Sequence, residues 1–214
     1  MFLKEKMSKE DCAFCNRTKF EERIIAEIDN FYVVASLGQI TEGGYTLLIP
    51  KEHTPCMAAL DASRTKSAIS IAIKIRNAVS KEFRFNPFKK YPVTMFEHGV
   101  VGQSVKHAHL HFLPAVLDIT PKVLTDFTGC EVNEITNYLF LRDIYESRQE
   151  PYLFWTALNG KGMICWNPPA PLQYLRTVAA EILGYPERAN WRSMDPELDK
   201  QFWQKTIARL KPYF

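Results

Sequence analysis

The 214-residue sequence contains no apolar run near the roughly 20 residues a bilayer-spanning helix requires. Its first ten residues, Met1 to Glu10, are charged and lack the apolar stretch of a secretory signal, which makes the cytoplasm the expected compartment. Charge of one sign is also scarce. A net charge of +3 suits an anionic small molecule and is too weak to indicate nucleic acid binding. There are only five cysteines, an odd number, so a disulfide framework is not expected. Repeats and low-complexity segments are absent. With 46% apolar and 24% charged residues, the composition is that of a water-soluble globular chain with a substantial core.

The ordered part of the pattern begins with two β-rich runs, 31–37 and 45–49, joined by a glycine-bearing link from Gly38 to Gly44. From Asp61 to about Phe83, Ala68, Ile71, Ile75, Ala78 and Val79 recur at helical spacing, and Asp61 can cap the start. Strands are expected near 91–97 and 105–113, with a loop around His98-Gly99. Beyond Pro114 the composition shifts. A helix is expected over 131–147, a hairpin over 152–158 and 162–166 about Asn159-Gly160, and a helix from Pro171 to Leu183 with Leu172, Leu175, Val178, Ala179 and Ile182 on one face. A last helix near 195–210 is expected to turn Leu198, Phe202, Ile207 and Leu210 inward. The fold class is α+β with a largely antiparallel sheet, divided into a domain at 1–117 and an extension at 118–214 containing a helix, a β-hairpin and two helices.

The chemistry concentrates in histidine. All five histidines lie between residues 53 and 111, and three stand in His107-Ala108-His109-Leu110-His111. Side chains alternate faces along a strand, so the three imidazoles are expected on one face while Ala108, Leu110 and Phe112 pack inward. Such a row calls for a polar or anionic occupant. Cys56, Cys130 and Cys165 are scattered singles and read as buried thiols. Cys12 and Cys15 form a Cys-x-x-Cys pair, which suits either a metal knuckle or a redox motif.

The run Gly102-Gln103-Ser104-Val105-Lys106-His107-Ala108-His109-Leu110-His111-Phe112 resembles the signature of the histidine-triad (HIT) superfamily. Upstream, Gly44-Tyr45-Thr46-Leu47-Leu48-Ile49-Pro50-Lys51-Glu52-His53 is similar to the family's second block, and Cys12-Ala13-Phe14-Cys15 to the zinc knuckle of many bacterial and archaeal members. The resemblance implies a HIT-like fold and a nucleotide-binding hydrolase or nucleotidyl transferase. It implies His109 as the nucleophile that attacks an α-phosphorus and forms a nucleotidyl-histidine, with His111 donating to the phosphate. Gln103 and Ser104 are expected to contact phosphate or leaving group, a turn-capping role being the alternative for Ser104. A structural zinc is expected on Cys12, Cys15, His53 and His107, and a homodimer is implied by the resemblance alone. The redox alternative lacks a thioredoxin-like βαβ context.

The sequence departs from the family pattern at several positions. Tyr45 stands where many members carry histidine, and Leu37 where a carboxylate or amide meets the ribose. Phe96-Glu97-His98-Gly99 replaces an Asn- or Asp-containing stretch. Glu97 is either a replacement polar contact or a solvated loop carboxylate, and His98 reads as a loop residue. Lys106 reads as ordinary surface. Gln173-Tyr174-Leu175-Arg176 and the run from Pro186 to Arg192 are loosely similar to C-terminal regions of the CwfJ-type and dinucleoside-polyphosphate phosphorylase branches. Two functions compete: an enzyme acting on a nucleotide conjugate such as a dinucleoside polyphosphate or nucleoside phosphoramidate, and a non-catalytic nucleotide- or RNA-associated adaptor. The intact triad favours the enzyme, since a binding module needs no nucleophile.

Overall fold

The computed structural model describes residues 11–83, 93–136 and 138–214. Eight strands form one antiparallel sheet: β1 Ile24–Ile28, β2 Phe31–Ala35, β3 Thr46–Pro50, β4 Thr94–Gly99, β5 Leu110–Leu113, β6 Val132–Ile135, β7 Tyr152–Thr156 and β8 Gly162–Trp166. The strand order is β1-β2-β3-β5-β4-β7-β8-β6. The α-helices among the described residues are α1 Ala62–Glu82, α2 Thr120–Asp126, α3 Tyr138–Arg148, α4 Tyr174–Ile182 and α5 Pro196–Leu210. No helix among the described residues is long and apolar enough to cross a membrane.

α1 starts where a carboxylate can satisfy its free amides: Asp61 accepts from the Arg64 N–H at 2.8 Å. Its buried stripe, which includes Ala68, Ile71, Ile75, Ala78 and Val79, packs on the sheet face carrying Phe31, Val33, Leu48, Leu110 and Phe112. The opposite face, with Tyr45, Phe96, Leu113, Leu153 and Trp155, is covered by Leu175, Val178 and Ala179 of α4. Helices therefore cover both faces, and β2, β3 and β7 are buried along nearly their whole length. β7 pairs with β4 from Phe96 opposite Trp155 to Gly99 opposite Tyr152, so strands from beyond residue 117 extend the sheet built before it.

Four local expectations are corrected. The strand expected over 105–113 contracts to Leu110–Leu113, because Val105 to His109 form a loop in which the Ala108 N–H reaches the Thr54 carbonyl at 2.7 Å. The helix expected over 131–147 divides into β6 and α3, since Val132–Ile135 pairs with β8, a partner invisible to local periodicity. The inward face of α5 carries Asp199, Trp203, Thr206 and Leu210, while Leu198 is exposed. In α4, Leu172 precedes the helix and is exposed, as is Ile182. The first two residues of the strand expected at 91–97 lie outside the described residues.

Candidate active site and metal cluster

A cleft of about 260 Å³ opens on the α4 face of the sheet. His109 and His111 line it, with Ser104, His98, Phe14, Phe20, Leu37, Leu47, Lys19 and Arg23 from the N-terminal half. Gln173, Arg176 and Trp191 line it from the C-terminal half.

His109 immediately precedes β5, and its Nδ1–H donates to the His107 carbonyl at 2.7 Å. That bond fixes the tautomer and leaves the Nε2 lone pair free. Burial lowers its pKa to about 4, so the ring is neutral near pH 7. Phe14 meets the ring edge-on at 5.2 Å.

His111 lies within β5, stacked on Phe96 at 4.4 Å with the planes 10° apart. Its Nδ1 is 2.7 Å from the Tyr45 hydroxyl. The Arg176 guanidinium lies over the Tyr45 ring, 5.4 Å from its centroid. Burial raises the Tyr45 pKa to about 12 and keeps it protonated. When that hydroxyl donates to Nδ1, the His111 proton sits on Nε2, a buried atom with no protein partner among the described residues. Tyr45 thus acquires a role at the position where the family pattern departs.

Arg176 is buried, donating to the backbone carbonyls of Gly38, Ala189 and Arg188, and makes no ion pair among the described residues. Its charge is felt by His98 and His111, whose pKa values burial has already lowered. Arg23 is likewise buried and donates to the Ala35 carbonyl. Burial lowers its pKa to about 10 against the opposing charge of Asp199. Asp199, from α5, accepts from the Gly38 and Gln39 amides at 3.0 and 2.8 Å and fixes this turn. Gly38 is required there: at φ 62°, an added Cβ would meet the Trp191 Cβ at 2.5 Å.

His98 is a strand residue rather than a loop residue. It is buried in β4, and its Nε2 accepts from the Leu175 N–H at 3.0 Å, docking α4 onto the cleft. Glu97, on the other face of β4, is also not a solvated loop carboxylate. It accepts from the Met57 N–H at 2.6 Å and the Tyr152 hydroxyl at 2.8 Å. Gln103 is buried, gives its Nε2–H to the Pro55 carbonyl at 2.8 Å, and does not line the cleft. Lys106 is exposed. Sequence reasoning did not name Arg176 and Trp191 as cleft residues; the signal toward them was the loose resemblance of the runs Gln173 to Arg176 and Pro186 to Arg192.

Behind the triad, Cys12, Cys15, His53 and His107 converge, their ligand atoms all within 4.8 Å of one another. Cys12 Sγ and Cys15 Sγ lie 3.4 and 3.6 Å from His107 Nδ1, and Cys15 Sγ lies 3.2 Å from His53 Nδ1. His107 Nε2–H donates to the Pro50 carbonyl at 2.8 Å, which turns the Nδ1 lone pair toward the sulfurs. The four residues form a cluster able to hold a metal ion. Cys56 and Cys165 are buried thiols, and Cys130 is half-buried.

Residues 17–116 match the model of the family described as the HIT domain. A protein of Borreliella burgdorferi described as an uncharacterized HIT-like protein is 26% identical over 106 residues, covering 49% of this chain and 75% of that protein. A solved HIT family protein from Bacillus anthracis is 29% identical, covers 50% of this chain and 74% of its own, and superposes with a TM-score of 0.43. A zinc-bound histidine triad family protein from Mycobacterium smegmatis is 22% identical, with 50% and 77% covered and a TM-score of 0.41.

Proposed function

We propose that this chain, whose residues 17–116 match the HIT domain model, is a nucleotidyl hydrolase or transferase acting at the α-phosphate of a nucleotide conjugate. The observation that carries this reading is the bond from His109 Nδ1–H to the His107 carbonyl, which leaves a neutral Nε2 lone pair free for attack. In the first step Nε2 forms a bond to the α-phosphorus, and the bond to the leaving group breaks with its electron pair. In the second, water or another acceptor attacks the phosphorus and His109 departs. His111 Nε2–H donates to the phosphate oxygens as charge develops, and the Arg176 charge supports the same anion. Ser104 contributes a hydroxyl from the cleft wall. The apolar Phe20, Leu37 and Leu47 suit a nucleobase.

Brief reaction with a nucleotide labelled on the α-phosphorus, followed by acid-avoiding digestion, is expected to leave the label on the peptide containing residue 109. Label on a different residue, from a substrate the protein turns over, would exclude this route. Replacing His111 with Ala is expected to lower turnover roughly 10²–10³-fold, the loss of one charge-stabilising donor. Tyr45→Phe removes only the bond that orients this ring, and should cost about 3- to 10-fold. Steady-state kinetics on both variants checks that order, and a Tyr45→Phe loss as large as that of His111→Ala contradicts it.

The metal we assign to the cluster is zinc. With Zn–S near 2.3 Å and Zn–N near 2.0–2.1 Å, tetrahedral S and N ligands stand about 3.6 Å apart, and the observed sulfur–nitrogen separations of 3.2–3.6 Å fit that spacing. Four protein ligands make such a site structural: when bound, the ion ties the N-terminal knuckle to His53 and to the loop that carries His109. The implied homodimer would need a surface other than the edge of β4, which β7 already occupies.

A further inference from the structure

Among the described residues, two buried side-chain polar atoms lack a hydrogen-bond partner: His111 Nε2 and Gln173 Oε1. Both residues line the same cleft. Native proteins leave few such atoms, and each is costly unless something else satisfies it. The first belongs to the HIT domain and meets the phosphate in the mechanism above. The second comes from the segment that follows it.

Gln173 has further peculiarities. Its backbone is left-handed, φ 63° and ψ 21°, a region disfavoured for a side chain of this kind. It stands at the N-cap of α4, yet its side chain does not cap the helix. The conformation is held by its neighbours: Gln173 N–H donates to the Gly102 carbonyl at 2.7 Å, and Leu175 N–H to His98 Nε2. Gly102 and His98 are themselves cleft residues, and the His98 ring lies 6.0 Å from that of His111. The amide thus lines the cleft beside Gly102 and His98, with no intramolecular hydrogen bond to its Oε1.

We infer that Gln173 is a specificity-determining residue whose side-chain carbonyl accepts a hydrogen bond from the leaving group of the substrate. The inference rests on the nucleotide reading. The substrate class is a nucleotide conjugate whose leaving group carries an N–H or O–H donor beside the phosphorus. A leaving group with no donor leaves Oε1 unsatisfied in the complex.

The test compares two ligands that share base, ribose and phosphate: adenosine 5′-phosphoramidate, with N–H donors on the leaving group, and adenosine 5′-(p-nitrophenyl phosphate), with none. Both are titrated calorimetrically into His109→Ala protein, which holds them uncleaved, and into the same protein carrying Gln173→Gly. Glycine removes the amide and relaxes the left-handed backbone, so Tm is expected to stay level or rise. The dissociation constant of the phosphoramidate is expected to rise about tenfold, and that of the nitrophenyl ester to change less than about twofold. Equal changes for the two ligands, no change for either, or a falling Tm with both affinities intact would assign Gln173 a structural role and overturn the inference. Failure of both ligands to bind when Gln173 is intact would overturn the nucleotide reading, and this inference with it.

Discussion

His109→Ala protein is expected to lose about 10⁴–10⁶-fold in kcat on any substrate the native protein turns over. The magnitude follows from the role. Removing a covalent nucleophile closes the two-step route and leaves only electrostatic stabilisation and substrate positioning from the surrounding donors. Those donors remain: His111 Nε2, Ser104 and Arg176 are built into strand, loop and helix independently of the His109 ring. Affinity for an uncleaved nucleotide should accordingly stay within a few-fold of native. The bond lost from the fold is one donation to the His107 carbonyl, so Tm should move little. Single-turnover kinetics and calorimetry on the same preparation separate the two quantities. Near-native turnover by this variant, on any substrate, rejects His109 as the nucleophile.

Removal of the metal is expected to have the second-largest effect, on stability. Purified protein should contain one zinc per chain by elemental analysis, and a strong chelator should lower Tm by well over ten degrees. Structural zinc binding in small peptides is worth about 10–16 kcal/mol near neutral pH, far more than the few kcal/mol that separate most folded domains from unfolding. Even a small share of that, transmitted through a larger core, produces such a shift. Cys15→Ser should act in the same direction without chelator, because a hydroxyl is a poor replacement for a thiolate. Activity should fall with the metal, since His107 connects the cluster to His109 through its own carbonyl. Protein that is free of zinc as purified, and indifferent to chelator, removes the metal from the account.

Much of this site was readable from residue order because its chemistry is compressed into short motifs. The helix expected over 61–83 forms at Ala62–Glu82 behind its Asp61 cap, since a long amphipathic stripe with a good N-cap has few competing structures. The metal cluster was legible through the resemblance: the Cys-x-x-Cys pair offers two ligands, and similarity to zinc-bearing family members added His53 and His107. The alternation argument for the triad rests on geometry that applies only in part. His111 sits in β5, whereas His107 and His109 precede it in a loop, so a period-two pattern described residues that are not all strand.

Other features depended on distant partners. Val132–Ile135 is helical by local pattern and becomes a strand because β8 offers it an edge. The inward face of α5 escaped a hydrophobic count because two of its buried residues are polar. Asp199 binds the Gly38 and Gln39 amides, and the Thr206 hydroxyl accepts from the Gly44 N–H at 2.7 Å. Arg176 was hidden in the same way. A buried arginine that satisfies itself on backbone carbonyls of two loops has no sequence signature until those loops are placed.

The position of β7 beside β4 also governs the order in which this molecule can be completed. On the ribosome, β4 is finished at Gly99, whereas β7 ends only at Thr156. At roughly 5–20 residues per second, the outer edge of β4 stays open for several seconds on average, with its amides and carbonyls free to pair elsewhere. The aromatic side chains of Tyr152, Phe154 and Trp155 arrive together at that edge and become buried with it. The nascent chain therefore passes through an interval in which a growing sheet is vulnerable to another nascent sheet. A cell producing this protein would benefit from a chaperone that shields that edge until the hairpin emerges.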